Sequence, residues 1–174
     1  MHGVRYTKPV RAADDIKFLT VEEQEKFLEA AAHSQNYRQY ALLLETGLRT
    51  AELIGLTWDS IDWKKHTLTV SKSLEYRHSQ KCWRAGPPKT PKSYRTIPLT
   101  DKAYSILKSC YKEKDSRNEA ETLSQILEYT DSRSGERKYL VMRDLVFINR
   151  RTGEPAKNSS YDTHLYLSLI HISE

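Results

Sequence analysis

The chain has 174 residues, a net charge of +5, 38% hydrophobic residues and a mean hydropathy of −0.72, the balance of a soluble domain with room for one core. No apolar run approaches bilayer length and the first residues lack a signal-peptide pattern, which argues against a membrane-spanning or secreted protein. Cys82 and Cys110 are too few for a disulfide framework and lack metal-ligand spacing, so a reducing, cytoplasmic setting is expected.

In chain order, residues 1–18 are polar, basic and unpatterned and read as a linker. Thr20-Val21-Glu22-Glu23 has the spacing of a capping box, and the helix after it, to about Ala32, turns Phe27, Leu28 and Ala31 inward. A second helix from about Tyr37 repeats the pattern with Tyr40, Ala41 and Leu44. It ends at Gly47, which can take the left-handed conformation of a helix stop. Thr50 can cap the third helix, which carries Ala51, Leu53, Ile54 and Leu56. Arg49 then stands at a helix start, where free N–H groups and the helix dipole favour an anion such as a phosphate.

The period changes after Thr67. Leu68, Val70, Leu74 and Tyr76 alternate, which predicts a strand, half covered because Lys72 interrupts the series. Gly86-Pro87-Pro88 breaks the chain, and Tyr94–Leu99 reads as an edge strand because Pro98 cannot donate to a ladder. Together these suggest a small antiparallel sheet with a long basic hairpin. Thr100-Asp101 caps a further helix through Ala103, Ile106, Leu107, Cys110 and Tyr111. Lys112 to about Gln125 is charged and exposed in character, and residues 126–139 carry a weak helical signal around the turn residues 131–135. Leu145–Ile148 is a short buried run, Asn149–Pro155 a turn, and a last helix is expected from about Ser159.

The charge is uneven. Between Lys72 and Arg95 stand seven lysines or arginines against Glu75 alone, a local +6, so the rest of the chain carries −1. A basic patch on a near-neutral body suggests a polyanion, usually nucleic acid, although a solvated lysine-rich hairpin has the same composition.

Thr46-Gly47-Leu48-Arg49-x-x-Glu52-Leu53-x-Gly55-Leu56-x-Trp58-x-x-Ile61-Asp62 resembles the first catalytic block of the tyrosine recombinases, as found in integrases of conjugative transposons and phages. Pro88-Lys89-Thr90-Pro91-Lys92-Ser93-Tyr94-Arg95-Thr96-Ile97-Pro98-Leu99 resembles the family's hairpin with the catalytic lysine, and the resemblance runs from about Phe18 to Tyr166. It implies an α+β fold, with helices around a small three-stranded antiparallel sheet and the C-terminal part of the domain missing. It also implies a DNA-cleaving and rejoining activity through a phosphotyrosine, with neither ATP nor a metal or other cofactor. Arg49 would hold the non-bridging phosphate oxygens, Lys89 would protonate the leaving 5′-oxygen, and Glu52 would orient the site, for which pairing with a nearby cation is the physical expectation. Lys72, Arg84, Lys92 and Arg95 would contact the DNA backbone. The implied partner is double-stranded DNA, with the full-length protein a tetramer on it, in the bacterial cytoplasm and on the nucleoid when bound.

The sequence departs from the family pattern at its end. A His-x-x-Arg, a further His or Trp and the nucleophilic tyrosine are not matched: His164 is followed by Leu165-Tyr166-Leu167, and none of the 11 tyrosines resembles the nucleophile's setting. The expected organisation is therefore a linker (1–18) from a missing DNA-binding domain, a truncated catalytic domain (19–166) and a non-native tail (167–174). Such a fragment would be inactive alone. A non-catalytic nucleic-acid-binding module using the basic hairpin remains the alternative.

Each sharp assignment has a plainer counterpart. Arg49 and Glu52 also suit an ordinary pair across one helical turn, and Lys89 one solvated lysine among many. Trp58 and Trp63 suit the core better than a stacking platform. Asp59 and Asp62 lack the further ligands a metal site requires, so none is assigned.

Overall fold

Thr20 opens the first helix as its sequence predicts: its N–H donates to Glu23 Oε2 at 2.7 Å and the Glu23 N–H donates to Thr20 Oγ1 at 3.2 Å. The computed structural model describes residues 19–116, 120–149, 152–157 and 161. Helix α1 (Val21–Ala30) buries Phe27, whose ring meets that of Tyr40 edge-on at 5.2 Å between centroids. Helix α2 (Tyr37–Thr46) buries Gln39, Tyr40, Ala41 and Leu42 and stops at Gly47, where φ is +62°. A side chain is strained in that conformation, so the glycine fixes where the next segment starts.

Helix α3 (Thr50–Ile54) has five residues and buries Glu52, Leu53 and Ile54. The following Gly55 lets it approach the sheet region closely: a Cβ there would lie 2.8 Å from the Leu74 nitrogen. Helix α4 (Asp101–Lys112) is capped by Thr100, which accepts from the Ala103 N–H at 3.1 Å, and buries Ala103, Leu107 and Cys110.

The expected single strand from Thr67 to Tyr76 is two strands in different sheets. β1 (Ile61–Asp62), β2 (Thr67–Val70) and β5 (Arg95–Pro98) form the three-stranded antiparallel sheet in the order β1-β2-β5, with β5 at the edge and Val70 opposite Arg95. β3 (Ser73–Arg77) pairs instead with β4 (Cys82–Gly86) as a separate antiparallel hairpin. The division falls at Ser71-Lys72, where Lys72 turns inward to an ion pair and ends the ladder.

The weak helical signal over residues 126–139 is overturned. β6 (Ile126–Thr130) and β7 (Arg137–Val141) form a third antiparallel unit, with Glu128 opposite Tyr139 and Thr130 opposite Arg137. Tyr129 and Leu140 point to the core while Ile126 and Tyr139 are 62% and 58% exposed, so apolar residues occupy both faces and blur the period of two.

One core joins these units, with Leu53, Leu68, Leu74, Leu107, Leu140, Met142 and Leu145 fully enclosed. Residues 145–148 are buried as expected, and the Val146 N–H donates to Leu56 O at 2.8 Å, stitching them to the end of α3. The Asn149 N–H closes a turn on Glu154 O at 2.8 Å. Trp58 and Trp63 pack against the core, as their plain reading holds. Tyr161 is buried and meets Tyr40 edge-on at 6.1 Å. The linker 1–18, the rest of the expected last helix, His164, Tyr166 and the tail 167–174 lie outside the described residues. Among the described residues no helix is long and apolar enough to cross a membrane.

Candidate active site

Gly47 delivers the chain to Leu48, which is buried, and then to Arg49, whose side chain is 56% exposed. Arg49 rather than Thr50 occupies the cap position of α3, and Thr50 is its first helical residue. The Arg49 N–H donates to Glu52 Oε2 at 3.0 Å. Glu52 therefore fills the helix mouth, and the backbone donor expected to meet a ligand there meets the protein's own carboxylate.

Glu52 is the centre of the cluster. Its side chain is 3% exposed and accepts four hydrogen bonds, from the Arg49 N–H, Arg49 Nη1 (2.8 Å), Arg95 Nη1 (3.2 Å) and Arg95 Nη2 (2.9 Å). Burial pushes its carboxyl up, but the bonds from Arg95 and Arg49 outweigh that and hold it below its ordinary value. The carboxylate thus stays charged and ties Arg49, at the cap of α3, to Arg95 on β5. Arg95 also donates to the carbonyls of Gly47 at 3.2 Å and Ser93 at 3.1 Å, which holds the helix stop beside the edge strand.

Ser93 is a member that sequence reasoning missed. Its Oγ accepts from Arg49 Nη1 at 3.1 Å and lies 2.8 Å from Thr90 Oγ1. A hydroxyl four residues beyond Lys89 in a short Pro91–Ser93 turn was the available signal. The chain Arg49–Ser93–Thr90 brings the segment that begins at Lys89 to the arginine cluster. Lys89 itself is exposed and immediately precedes Thr90.

The remaining basic residues are distributed differently. Lys92 is exposed in the Pro91–Ser93 turn, and Arg84 is exposed on β4 opposite Glu75. Lys72 is not on the open face expected of a backbone contact. It is 8% exposed and donates to Asp59 at 2.8 Å and 3.0 Å. Asp59 is thereby engaged, and Asp62 accepts from the N–H groups of Lys64 and Lys65 at 3.0 Å each. Among the described residues no three His, Cys, Asp or Glu side chains gather as a metal site would require.

The arrangement holds a guanidinium by its inner side and leaves the rest of it open to solvent. Buried Glu52 fixes the plane of Arg49, and the free donors of that plane suit the oxygens of a phosphate diester. Arg49 and Arg95 together set two guanidinium charges against the one Glu52 carboxylate, so the cluster carries a net +1 that favours an anion.

Residues 17–166 match the phage integrase family. The chain is 33% identical over 94 residues to the transposase from transposon Tn916 of Enterococcus faecalis, a match covering 52% of this chain and 23% of that protein. It is 35% identical over 79 residues to the prophage integrase IntR of Escherichia coli (strain K12), covering 45% of this chain and 18% of the relative. Its fold is similar to that of the Tn1549 transposon integrase solved with a circular intermediate DNA, at a TM-score of 0.65 and 23% identity, over 92% of this chain and 47% of that one. The same integrase solved with transposon right end DNA aligns at a TM-score of 0.60 and 22% identity, over 86% and 44% of the two chains. The chain spans about a quarter or less of the curated relatives' length and under half of the solved integrase. On the match over residues 17–166, this chain belongs to the phage integrase family.

Proposed function

We propose that this chain is the amino-proximal part of a tyrosine-recombinase catalytic domain, from a protein that cuts and rejoins double-stranded DNA to integrate or excise a mobile element. The observation that carries this reading is the half-open Arg49 guanidinium, pinned from below by a buried Glu52 and joined through Ser93 to the Lys89 segment. In the reaction a tyrosine hydroxyl gives up its proton to solvent as its oxygen bonds to phosphorus and the bond to the 5′-oxygen breaks. Arg49 stabilises the charge growing on the non-bridging oxygens, and Lys89 gives its proton to the departing 5′-oxygen. Glu52 orients Arg49, while Arg95 closes the cluster. Arg84 and Lys92 contact the DNA backbone without reading bases. Assembly as a tetramer on DNA in the bacterial cytoplasm belongs to the same reading.

The nucleophilic tyrosine and the His-x-x-Arg pair are not matched within this chain, so the reaction is assigned to the protein that carries it together with them. The chain itself is expected to bind duplex DNA with an affinity that falls steeply as salt rises.

The test is cleavage of a nicked suicide substrate by that larger protein. Arg49→Lys keeps the charge but loses the planar fork, and covalent adduct should all but vanish while duplex binding stays near normal. Adduct formation at the parental rate in that variant overturns the role of Arg49. Lys89→Ala should slow cleavage roughly 10²-fold or more. A 5′-bridging sulfur, a leaving group that needs no proton, should restore much of the rate, and the absence of any rescue removes the acid role from Lys89.

A further inference from the structure

We propose that the turn between β6 and β7 is a latch that holds the Lys89–Arg95 segment in register with Arg49, and that Arg133 and Ser132 are its positioning residues. The inference rests on the reading of Lys89 given above. Its physical basis lies in a different part of the chain, one whose hairpin the sequence pattern concealed.

The turn is made rigid by its own side chains. Asp131 is 3% exposed, and its Oδ1 accepts from the N–H groups of Arg133 at 2.8 Å and Ser134 at 3.2 Å. Its Oδ2 takes Lys138 Nζ at 2.9 Å, from the opposite strand. The Asp131 N–H donates to Glu136 O and the Gly135 N–H to Asp131 O, both at 2.9 Å, with Gly135 at φ +70°. A turn closed from both ends can present its exposed side chains in one geometry.

Those side chains reach the segment between Lys89 and β5. The Ser132 N–H donates to Tyr94 Oη at 3.2 Å, and the Ser132 hydroxyl shares the same oxygen at 3.2 Å. The Arg133 guanidinium lies over the Tyr94 ring, 4.3 Å from its centroid. Its Nη2 donates to the carbonyls of Pro91 at 3.4 Å and Tyr94 at 3.3 Å. The inner side of the same segment is held by Ser93 to Arg49 and by Arg95 to Glu52. The segment is gripped from two sides, from within by the arginine cluster and from without by the turn.

The hairpin does not need this grip to fold, because Tyr129 and Leu140 seat it in the core. Ser132 and Arg133 are exposed, and exposed polar contacts add little to global stability. Their effect falls on the backbone they touch. An acid on a flexible stem works only when its base is placed against the reacting oxygen, and small displacements there are costly in rate.

The test uses the 174-residue chain, with amide hydrogen exchange and acylation of Lys89 followed by mass spectrometry, with and without a nicked DNA duplex. In Arg133→Ala, exchange over residues 90–95 should quicken about tenfold, the loss expected for a hydrogen-bonded charged group, with α2, α4 and the urea midpoint unmoved. DNA should protect Lys89 from acylation in the parent chain and much less in the variant. Arg133→Lys, which keeps a cation over the ring but not the fork, should fall between. Tyr94→Phe retains the ring and the Arg133 contacts and removes only the hydroxyl shared with Ser132, so it should give a smaller loosening over the same residues at the lowest risk to folding. Unchanged exchange over 90–95 in Arg133→Ala and in Tyr94→Phe overturns the latch, and so does loosening spread equally across α2, α4 and β1-β2-β5. Lys89 acylation that DNA never slows in the parent chain overturns the reading of Lys89, whatever the exchange shows.

Discussion

Two salt-bridge sites, each centred on one carboxylate, are built inside out from one another. At Glu52 the carboxylate is buried, at 3% exposure, while its arginines stand 56% and 30% exposed. At Asp59 the lysine is the buried partner, with Lys72 at 8% exposure and the carboxylate at 73%. The first arrangement shows solvent a positive face, and the second shows it a negative one. Formal charge along the chain counts Lys72 and Arg49 alike, yet only Arg49 is available to an anion. The side of the pair that faces water decides what the surface offers, and that side is set by tertiary packing.

Removing the buried anion should therefore cost more than removing the exposed one. Glu52→Ala strips four hydrogen bonds and leaves two guanidinium groups side by side, a loss of about 3 kcal/mol. Asp59→Ala takes away a carboxylate that water already reaches and should cost about 1 kcal/mol, because Lys72 can turn its head toward the vacated solvent side. Urea unfolding of the two variants checks the order, and equal losses would remove the distinction between the pairs.

Acid should act next most strongly, and in a direction fixed by the carboxyl shifts. The Glu52 carboxyl is held below its ordinary value of 4.5 in the folded chain. The stability it contributes is fully present above that value and is lost as pH falls through the lower folded one. Asp59 behaves alike from 3.8 downward: partial desolvation where it meets the buried Lys72 pushes its carboxyl up, and the bonds from Lys72 and Thr57 more than reverse that. Stability should thus be flat toward neutral pH and fall below about pH 4.5. Glu52→Gln should lower the plateau and shallow the acid limb, as read from thermal unfolding across pH. An acid limb as steep as the parent's would mean that Glu52 is not charged in the folded chain.

The parts that were legible in the sequence are those fixed by neighbours along the chain. Thr20 with Glu23, Gly47 after α2 and Thr100 before α4 each set a helix end within a few residues, so local chemistry was enough. The Arg49-x-x-Glu52 spacing put the pair on one turn, and the pairing of Glu52 with a cation followed. What escaped depends on distant partners. Lys72 became buried only because Asp59, thirteen residues earlier, meets it there. The alternating run across Ser71 could not reveal that β2 and β3 join different sheets. Ile126 and Tyr139 place apolar surface on the outer face of a five-residue strand pair, which imitates a helical stripe more than a two-residue period. The second arginine on Glu52 and the hydroxyl of Ser93 come from more than forty residues away, at separations of 43 and 44 from their partners.

The finest test of the contrast between the two pairs is electrostatic and small. If facing water decides availability, the basic residues between Lys72 and Arg95 contribute unequally to DNA binding. Lys72→Met replaces a buried stem with an apolar one of similar length and should leave both affinity and its dependence on salt unchanged. Arg84→Ala and Lys92→Ala each remove an exposed cation and should lower the slope of log affinity against log salt by about 1. Titration of a fluorescent duplex at several salt concentrations reads all three slopes. A slope that falls with Lys72→Met but not with Arg84→Ala or Lys92→Ala would show that DNA draws Lys72 out of its pair with Asp59, and the burial seen in the free chain would then be a resting state that binding reverses.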